Sequence, residues 1–248
     1  MGMVVGVFDH VTIRASDRSR AEHFYETLLR TLGIEQTYSG DGFAEWGDFS
    51  LTEADDESPV TRRLHVGFAA PSRRHVDEFW RIGTSAGYES DGEPGPRPQY
   101  SDDYYGSFLL DPDGNSVEAV HHGSLRNGGN VDHLWIRVSD VETATRFYET
   151  VGPAAGFRVG SESAERTQFA CVSGSFSVVA GEQPSENVHL AFAANDNETV
   201  DRFHRDATAA GYRDNGAPGE REVYHRGYYA AFVLDPDGNN VEVVNHNR

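Results

Sequence analysis

Apolar and polar residues alternate over His10–Ala15 and again over Leu64–Ala69. Alternation with a period of two predicts strands that turn one face toward a core. Between them, Ser19–Leu32 carries apolar residues at helical spacing and ends at Gly33, which predicts an amphipathic helix. The pattern therefore predicts a strand and a helix, followed by a new strand that starts a second unit of the same kind.

Short apolar runs separated by turn residues predict the other elements of this half. They are strands at about 34–38, 42–46, 50–53, 88–90, 105–110 and 116–120, and a helix at about 72–86. The sequence Asp111-Pro-Asp-Gly is a turn signal, because proline fixes one dihedral angle and glycine accepts a positive φ. We therefore expect two consecutive βαβββ units before residue 123.

The second half of the chain repeats the first. Residues 64–122 align with 188–246 without a gap, at a constant offset of 124 residues, and the segment around His10 returns around His133. This period is too long for a solenoid and indicates duplicated domains. We predict an α+β fold of four βαβββ modules in tandem domains at 1–122 and 131–248. The boundary is expected in the Gly/Asn-rich segment 122–130.

Composition narrows the possible partners. The chain of 248 residues has a formal net charge of −19 and a single cysteine, Cys171, and its basic residues are all arginine. A negative field repels nucleic acid and anionic lipid, and no apolar run is long enough for a membrane span. We expect a cytoplasmic protein, monomeric or homodimeric, with a small-molecule substrate and neither nucleic-acid nor membrane partners.

Residues that commonly bind metals recur at matched strand positions in both halves. They are His10, His65 and Glu118 in the first half, and His133, His189 and Glu242 in the second. Strand alternation places each of them opposite the apolar face that packs on the helices. Two histidines and one carboxylate suit Fe, Mn, Zn, Ni or Co as a divalent ion. Three protein ligands leave open coordination positions, as catalysis requires.

Further polar residues near these strands are candidates for catalysis and substrate binding. His225, where the first half has Ser101, is either a general acid/base or a solvated loop histidine. The other candidate catalytic residues are Tyr104 and Tyr228, and the candidate substrate-binding residues are Arg14, Arg137, Tyr105 and Tyr229. One tyrosine of each adjacent pair is expected in packing, and each arginine is expected to bind either a substrate carboxylate or a glutamate of the site.

The sequence resembles the vicinal oxygen chelate superfamily, which includes glyoxalase I, extradiol dioxygenases, fosfomycin-resistance transferases and bleomycin-resistance proteins. The resemblance rests on Asp9-His10, Phe24-Tyr25, Leu64–Phe68 and the segment from Tyr105 to Glu118, with their repeats in the second half. It implies paired modules that form open β-sheet cups around a divalent metal, which a substrate chelates through neighbouring oxygens.

The resemblance leaves module pairing and chemistry open. Some relatives exchange modules, so His10 is expected to meet either His65 and Glu118 of its own half or His189 and Glu242 of the other. Glyoxalase I normally adds a fourth ligand, for which Glu53 is a candidate without a counterpart in the second half. We expect a metal-dependent enzyme, of dioxygenase type in preference to a glyoxalase-like lyase or isomerase. The alternative is a non-catalytic antibiotic- or metabolite-binding protein.

Overall fold

The computed structural model describes residues 8–40, 42–123, 129–171 and 174–247, although nothing is described of the Cys171 side chain. The described residues form four βαβββ modules. The first contains β1 (His10–Ala15), α1 (Arg18–Leu29) with a 3₁₀ turn (Arg30–Leu32), β2 (Tyr38–Gly40), β3 (Phe43–Trp46) and β4 (Phe49–Glu53). The second contains β5 (Leu64–Ala69), α2 (Arg73–Ser85), β6 (Ser90–Pro96), β7 (Tyr105–Leu110) and β8 (Ser116–His121).

The second half repeats this order. The third module contains β9 (Val131–Val138), α3 (Val141–Ala155), β10 (Arg158–Glu162), β11 (Arg166–Cys171) and β12 (Gly174–Ala180). The fourth contains β13 (His189–Ala193), α4 (Asn197–Ala209), β14 (Arg213–Glu220), β15 (Tyr229–Leu234) and β16 (Asn240–Asn245). The predicted α+β class and the modular order are confirmed. No helix in the described part of the chain combines the length and apolar character needed to cross a bilayer.

The modules pair across the two halves. One eight-stranded sheet has the order β14-β15-β16-β13-β1-β4-β3-β2, and the other has the order β10-β11-β12-β9-β5-β8-β7-β6. The first module therefore joins the fourth, and the second joins the third. The sequence left two pairings open, within each half or exchanged between the halves, and the exchanged pairing is the one observed.

Two strand contacts fix the register between paired modules. β1 runs antiparallel to β13 with His10 opposite Ala191, and β5 runs antiparallel to β9 with Gly67 opposite His133. The last strands of the second and fourth modules, β8 and β16, lie beside β5 and β13. Glu118 is therefore opposite Gly67, and Glu242 is opposite Ala191. The backbone ladder thus brings one residue from each of three strands together in each sheet.

The Asp-Pro-Asp-Gly turns hold the glutamate-bearing strands in place. Asp111 accepts hydrogen bonds from the backbone N–H groups of Asp113 and Asn115 and from the hydroxyl of Tyr25 in the first module. Gly114 has a φ of 85°, which glycine adopts without steric cost. Asn115 accepts from the backbone N–H of Leu64, which ties the turn to the start of β5. The turn therefore sets where β8 begins and, with it, the position of Glu118.

One continuous apolar core lies beneath both sheets. It contains buried residues of all four modules, including the rings of Phe49, Phe68, Phe176 and Phe192. Phe176 lies 5.1 Å from Tyr148 and 5.8 Å from Phe192, ring centroid to ring centroid, so it links the third module to the fourth. Burial of large rings of this kind is a main source of folding free energy. The shared core therefore packs all four modules against one another.

One edge strand departs from the expectation. The sequence predicts a strand at about 88–90, but β6 extends over Ser90–Pro96 and includes two prolines and two glycines. Proline cannot donate to a ladder, which argues against an interior strand, but β6 is the outermost strand of its sheet and needs no second ladder. The repeat strand β14 occupies the same edge position in the other sheet.

Candidate functional sites

Two clusters of metal-ligand type form where the paired modules meet. We call them site I, which contains His10, His189 and Glu242, and site II, which contains His65, Glu118 and His133; within each, the ligand atoms lie within 4.8 Å of one another. Both glutamates are buried, with a relative exposure of 1%. The six residues predicted from the sequence thus come together in two groups, each assembled from both halves of the chain.

Site II has nearly equal edges. His65 Nε2 lies 3.0 Å from Glu118 Oε2 and 3.2 Å from His133 Nε2, and His133 Nε2 lies 3.3 Å from the same glutamate oxygen. Ligands about 2.1 Å from one metal ion are separated by about 3.0 Å in octahedral geometry and about 3.4 Å in tetrahedral geometry. The three atoms therefore already have the spacing that a single divalent ion needs.

Site I has the same donors with one longer edge. His189 Nε2 lies 2.9 Å from Glu242 Oε2 and 3.2 Å from His10 Nε2, whereas His10 Nε2 lies 3.7 Å from that oxygen. The two imidazole rings stack with their centroids 5.2 Å apart. This arrangement also fits a divalent ion, although His10 is slightly displaced from the glutamate.

The hydrogen bonds around each site leave Nε2 of each histidine directed inward. His133 Nδ1 is bound to Asp132 and His10 Nδ1 to Asp9, in both cases at 2.9 Å. A carboxylate on Nδ1 holds the proton there, which frees the Nε2 lone pair and fixes the orientation of the ring. These aspartates immediately precede the ligands in the sequence, so the Asp-His pair itself carries the supporting contact.

The other histidine of each site has a different support. His65 Nδ1 contacts the Ser116 hydroxyl, which donates to Asp91 at 2.7 Å. His189 Nδ1 lies 2.6 Å from the side-chain amide of Asn240, which is in turn bound to Asn215. Site II therefore places a carboxylate behind both of its histidines, whereas site I has a neutral amide pair behind His189.

Burial and hydrogen bonding shift the charge states at site II. Burial acts to lower the pKa of His133, but its hydrogen bonds to Asp132 and Glu118 outweigh burial and raise that pKa to about 9. Burial acts to raise the pKa of Glu118, but hydrogen bonds from His133 and His65 lower it to about 2. Site II without a metal ion thus has a carboxylate and an imidazolium at neutral pH.

A tyrosine orients each glutamate through its second oxygen. The Tyr104 hydroxyl donates to Glu118 Oε1 at 2.8 Å, and the Tyr228 hydroxyl donates to Glu242 Oε1 at 2.6 Å. Burial and the adjacent carboxylate raise the pKa of both phenols well above the usual range. Each tyrosine therefore keeps its proton and holds the glutamate with Oε2 toward the histidines.

Glycines make room for these side chains in site II. A Cβ atom at Gly67 would collide with the imidazole of His133, and a Cβ atom at Gly106 would collide with the carboxylate of Glu118. The side chains of His133 and Glu118 therefore fill space that any residue larger than glycine at positions 67 and 106 would occupy. Together with the donor set and its spacing, this shows that the residues present fit a divalent metal.

A family model agrees with the fold and the site geometry. The model of the Glyoxalase/Bleomycin resistance protein/Dioxygenase superfamily matches residues 7–119 and 130–243. The chain belongs to this superfamily. A search of the curated proteins finds no match for the chain.

Solved structures from the superfamily share the whole fold. The crystal structure of glyoxalase I from Zea mays covers 96% of this chain and 92% of its own, at 17% identity and a TM-score of 0.71. A putative dioxygenase from Bacillus subtilis covers 100% of this chain and 87% of its own, at 13% identity and a TM-score of 0.65. At such identities the likeness shows the fold alone.

The equivalence of the modules shows where a fourth ligand would lie. Glu118 is opposite Gly67, which follows His65 by two positions. In the first and third modules the equivalent positions, opposite Thr12 and Trp135, hold Ser50 and Ser177. Glu53, the candidate from the sequence, lies at the end of β4 and is exposed. The fourth-ligand prediction for Glu53 is therefore wrong, because Glu53 lies three positions after Ser50, on the opposite face of the strand, and is exposed.

Two predicted substrate-binding residues lie outside the sites. The Tyr105 hydroxyl donates to Asp77 of α2, and the Tyr229 hydroxyl donates to Asp201 of α4, both at 2.8 Å. Strand alternation turns these rings toward the helices when Tyr104 and Tyr228 face the glutamates. The prediction for Tyr105 and Tyr229 is therefore wrong.

His225 does not reach the metal ligands but is connected to them. Its Nε2 lies 2.9 Å from His246 Nδ1, and His246 Nε2 lies 2.8 Å from Asp9, which binds His10. In site II the equivalent of His246 is His122, which lies 3.3 Å from Asp132, and Ser101 stands in place of His225. Site I therefore has a longer chain of histidines behind its first ligand.

Several residues that line site II were not among those predicted from the sequence. Trp135, Arg97, Tyr100 and Arg166 border two cavities of about 330 and 280 Å³ that reach the ligands of site II. Arg137, which the analysis did select, also lines the larger cavity. Trp135 follows His133 by two positions, and strand alternation alone was a sufficient signal for its location.

Proposed function

We propose that this protein is a metal-dependent enzyme acting on a small oxygenated molecule, with chemistry of the dioxygenase type. The observation that carries the proposal is the convergence of two histidines and one buried glutamate at each of two sites. A buried carboxylate is costly unless a cation or several hydrogen bonds compensate it. A divalent metal ion is the compensation that this set of donors favours.

The donor set favours dioxygenase chemistry over that of glyoxalase I. Two histidines and one carboxylate on one side of a metal are typical of non-haem Fe(II) oxygenases, which need open positions for substrate and dioxygen. Ser50 and Ser177 occupy the positions where a fourth carboxylate would stand. A bound metal would polarise substrate oxygens or, if it is iron, exchange electrons with dioxygen.

The residues of the chain have distinct tasks in this proposal. In site II, His65, His133 and Glu118 would hold the ion, and Asp132 keeps the proton of His133 on Nδ1. Tyr104 holds Glu118 in one orientation and retains its own proton, so it acts as a positioning residue rather than as a base. Tyr228 has the same role for Glu242 in site I.

Metal content of purified and reloaded protein tests the proposal. We expect two equivalents of Fe(II) per chain after anaerobic loading, one in Glu118→Gln or Glu242→Gln, and none in the double variant. The Gln side chain preserves shape while removing the charge. Nitric oxide, a probe for an open dioxygen position, should give an iron-nitrosyl EPR signal whose intensity follows the number of intact sites.

Three outcomes would overturn the proposal. One is the finding that the wild-type protein binds no more divalent metal than the double variant does. This result is the one expected of a non-catalytic binding protein. Another is loaded protein without a nitrosyl signal, which would favour lyase or isomerase chemistry. The third is loss of both metals from either single variant, which would show that the two sites are not independent.

A further inference from the structure

Site II opens into a cavity bordered by cationic side chains. The larger cavity, of about 330 Å³, reaches His65 and Glu118 and is lined by Arg97 and Arg137. The smaller cavity, of about 280 Å³, reaches His133 and is lined by Arg166. Together the two cavities have a size that suits a small organic ligand.

These three arginines have no carboxylate partner among the described residues. Arg97 donates to the backbone carbonyls of Glu93 and Pro96, and Arg166 Nε donates to the Ser177 hydroxyl. The side chain of Arg137 is exposed and makes no ion pair within the described ranges. In a chain with a net charge of −19, three unpaired guanidinium groups around one site are free to bind an anion.

Aromatic rings complete the wall of the cavity. The Trp135 ring lies 5.7 Å from the ring of His65 and carries the Arg166 guanidinium 5.0 Å above its face. Tyr100 meets Trp135 edge to face at 5.4 Å. Stacked aromatic and guanidinium planes provide flat surfaces for a planar ligand.

Site I differs at the equivalent positions. The strands β3 and β4 of site I correspond to β11 and β12 of site II. Glu45 is opposite Ser50 as Gln168 is opposite Ser177, and Phe43 is opposite Thr52 as Arg166 is opposite Val179. Phe43 and Glu45 therefore stand where site II has Arg166 and Gln168, which makes this wall of site I more negative by two charges.

The aromatic wall of site II also has no counterpart in site I. Thr12 stands in place of Trp135 and is hydrogen-bonded to Ser50 at 2.8 Å. Site I therefore lacks both the extra cation and the indole wall of site II.

We infer that the two sites take ligands of different charge, and that site II takes a planar organic anion. Arg166, Gln168 and Trp135 are the residues that set this preference, with Arg97 and Arg137 adding positive potential. The planar anion would be the substrate class of the proposed enzyme, and to that extent the inference rests on the proposed function. Binding of the anion does not require the metal, since the arginines and aromatic rings bind it themselves.

Calorimetric titration with benzoate, and with benzamide as its uncharged analogue, tests the inference on the full chain. We expect one equivalent of benzoate per wild-type chain and at least about tenfold weaker binding of benzamide. The double variant Arg166→Phe/Gln168→Glu, which gives site II the residues of site I, should weaken benzoate binding by at least about tenfold. The reverse variant Phe43→Arg/Glu45→Gln should add a second equivalent.

Controls separate the inference from folding and from the proposed metal function. Arg205→Ala, at an exposed position on α4, should bind benzoate as the wild type does, and circular dichroism should show each variant folded. Benzoate binding that is unchanged in Arg166→Phe/Gln168→Glu, or that equals benzamide binding, would overturn the inference. If benzoate binding depends on Arg166 in a protein that binds no metal, the result would support the anion site and contradict the proposed metal-dependent function.

Phenyl phosphate distinguishes the kind of anion. Tighter binding of phenyl phosphate than of benzoate, with the same dependence on Arg166, would support an anion site and assign it to phosphate. Binding of either anion to the reverse variant only, and not to the wild type, would overturn the assignment to site II.

Discussion

Site I and site II have the same three ligand types on equivalent strands, yet their surroundings differ. Site II places carboxylates behind both histidines and opens into a cavity bordered by arginines, whereas site I has an amide behind His189 and an additional histidine, His225, bound to His246 behind His10. The comparison shows that both halves of the chain have the same candidate ligands on equivalent strands of the sheets, while the residues around them differ. We therefore expect similar metal binding and different ligands.

The largest expected effect concerns the glycine beneath His133. Gly67→Ala places a Cβ atom against that imidazole, whereas site I already has Ala191 at the equivalent position. We expect metal affinity at site II to fall by about 100-fold, since displaced ligands cost this order of affinity, and site I to be unaffected. Metal titration measures site II in the Glu242→Gln background and site I in the Glu118→Gln background, where Ala191→Gly is the matched control. Full affinity in Gly67→Ala would show that His133 is not held as described.

Protons should compete with metal at site II. The pKa of His133 is raised to about 9, so below that pH the ring without metal holds a proton that the metal must displace. Apparent affinity in Glu242→Gln should therefore fall about tenfold for each unit of pH below 9 and level off above it. Calorimetry in buffers of different ionisation enthalpy counts the released protons. An affinity independent of pH between 7 and 9 would contradict the assigned charge state.

Removal of the positioning hydroxyls should have a moderate effect of equal size in the two sites. Tyr104→Phe and Tyr228→Phe each delete the hydrogen bond to the glutamate Oε1. We expect metal affinity to fall about tenfold at the altered site only, since an outer-shell partner is lost while all candidate ligands remain. Loss of all metal at the altered site would instead indicate that the tyrosine is itself a metal ligand. Tyr105→Phe serves as the control outside the sites.

The smallest expected effect lies at the end of the histidine chain. His225→Ser gives site I the residue that site II has at position 101 and removes one hydrogen bond to His246. Because His246 still binds Asp9, metal affinity at site I should change by no more than about threefold. The reverse change, Ser101→His, should leave site II within the same range. A tenfold loss in His225→Ser would mean that His225 matters more than its distance from the ligands suggests.

Most of the local structure was predictable from the sequence. The period-two pattern around His10 and His65, the helical spacing of Ser19–Leu32, and the Asp-Pro-Asp-Gly turn each depend on neighbouring residues only. The strand β6 was not predictable over its full length, because Pro94 and Pro96 normally exclude a strand and are accepted here only at a sheet edge. Edge position is a property of the whole sheet.

The sequence by itself indicated the candidate metal ligands, because ligand type and strand face are local properties that the repeat displays twice. The sequence also displays the pairs Asp9-His10 and Asp132-His133, although the hydrogen bond from each histidine to the preceding aspartate was seen only in the structure. Only the tertiary structure decided that His10 meets His189 and Glu242 while His65 meets His133. Backbone hydrogen bonds do not depend on side-chain identity, so they do not by themselves select which first strands pair, and the packing of all four modules around one core contributes to the choice.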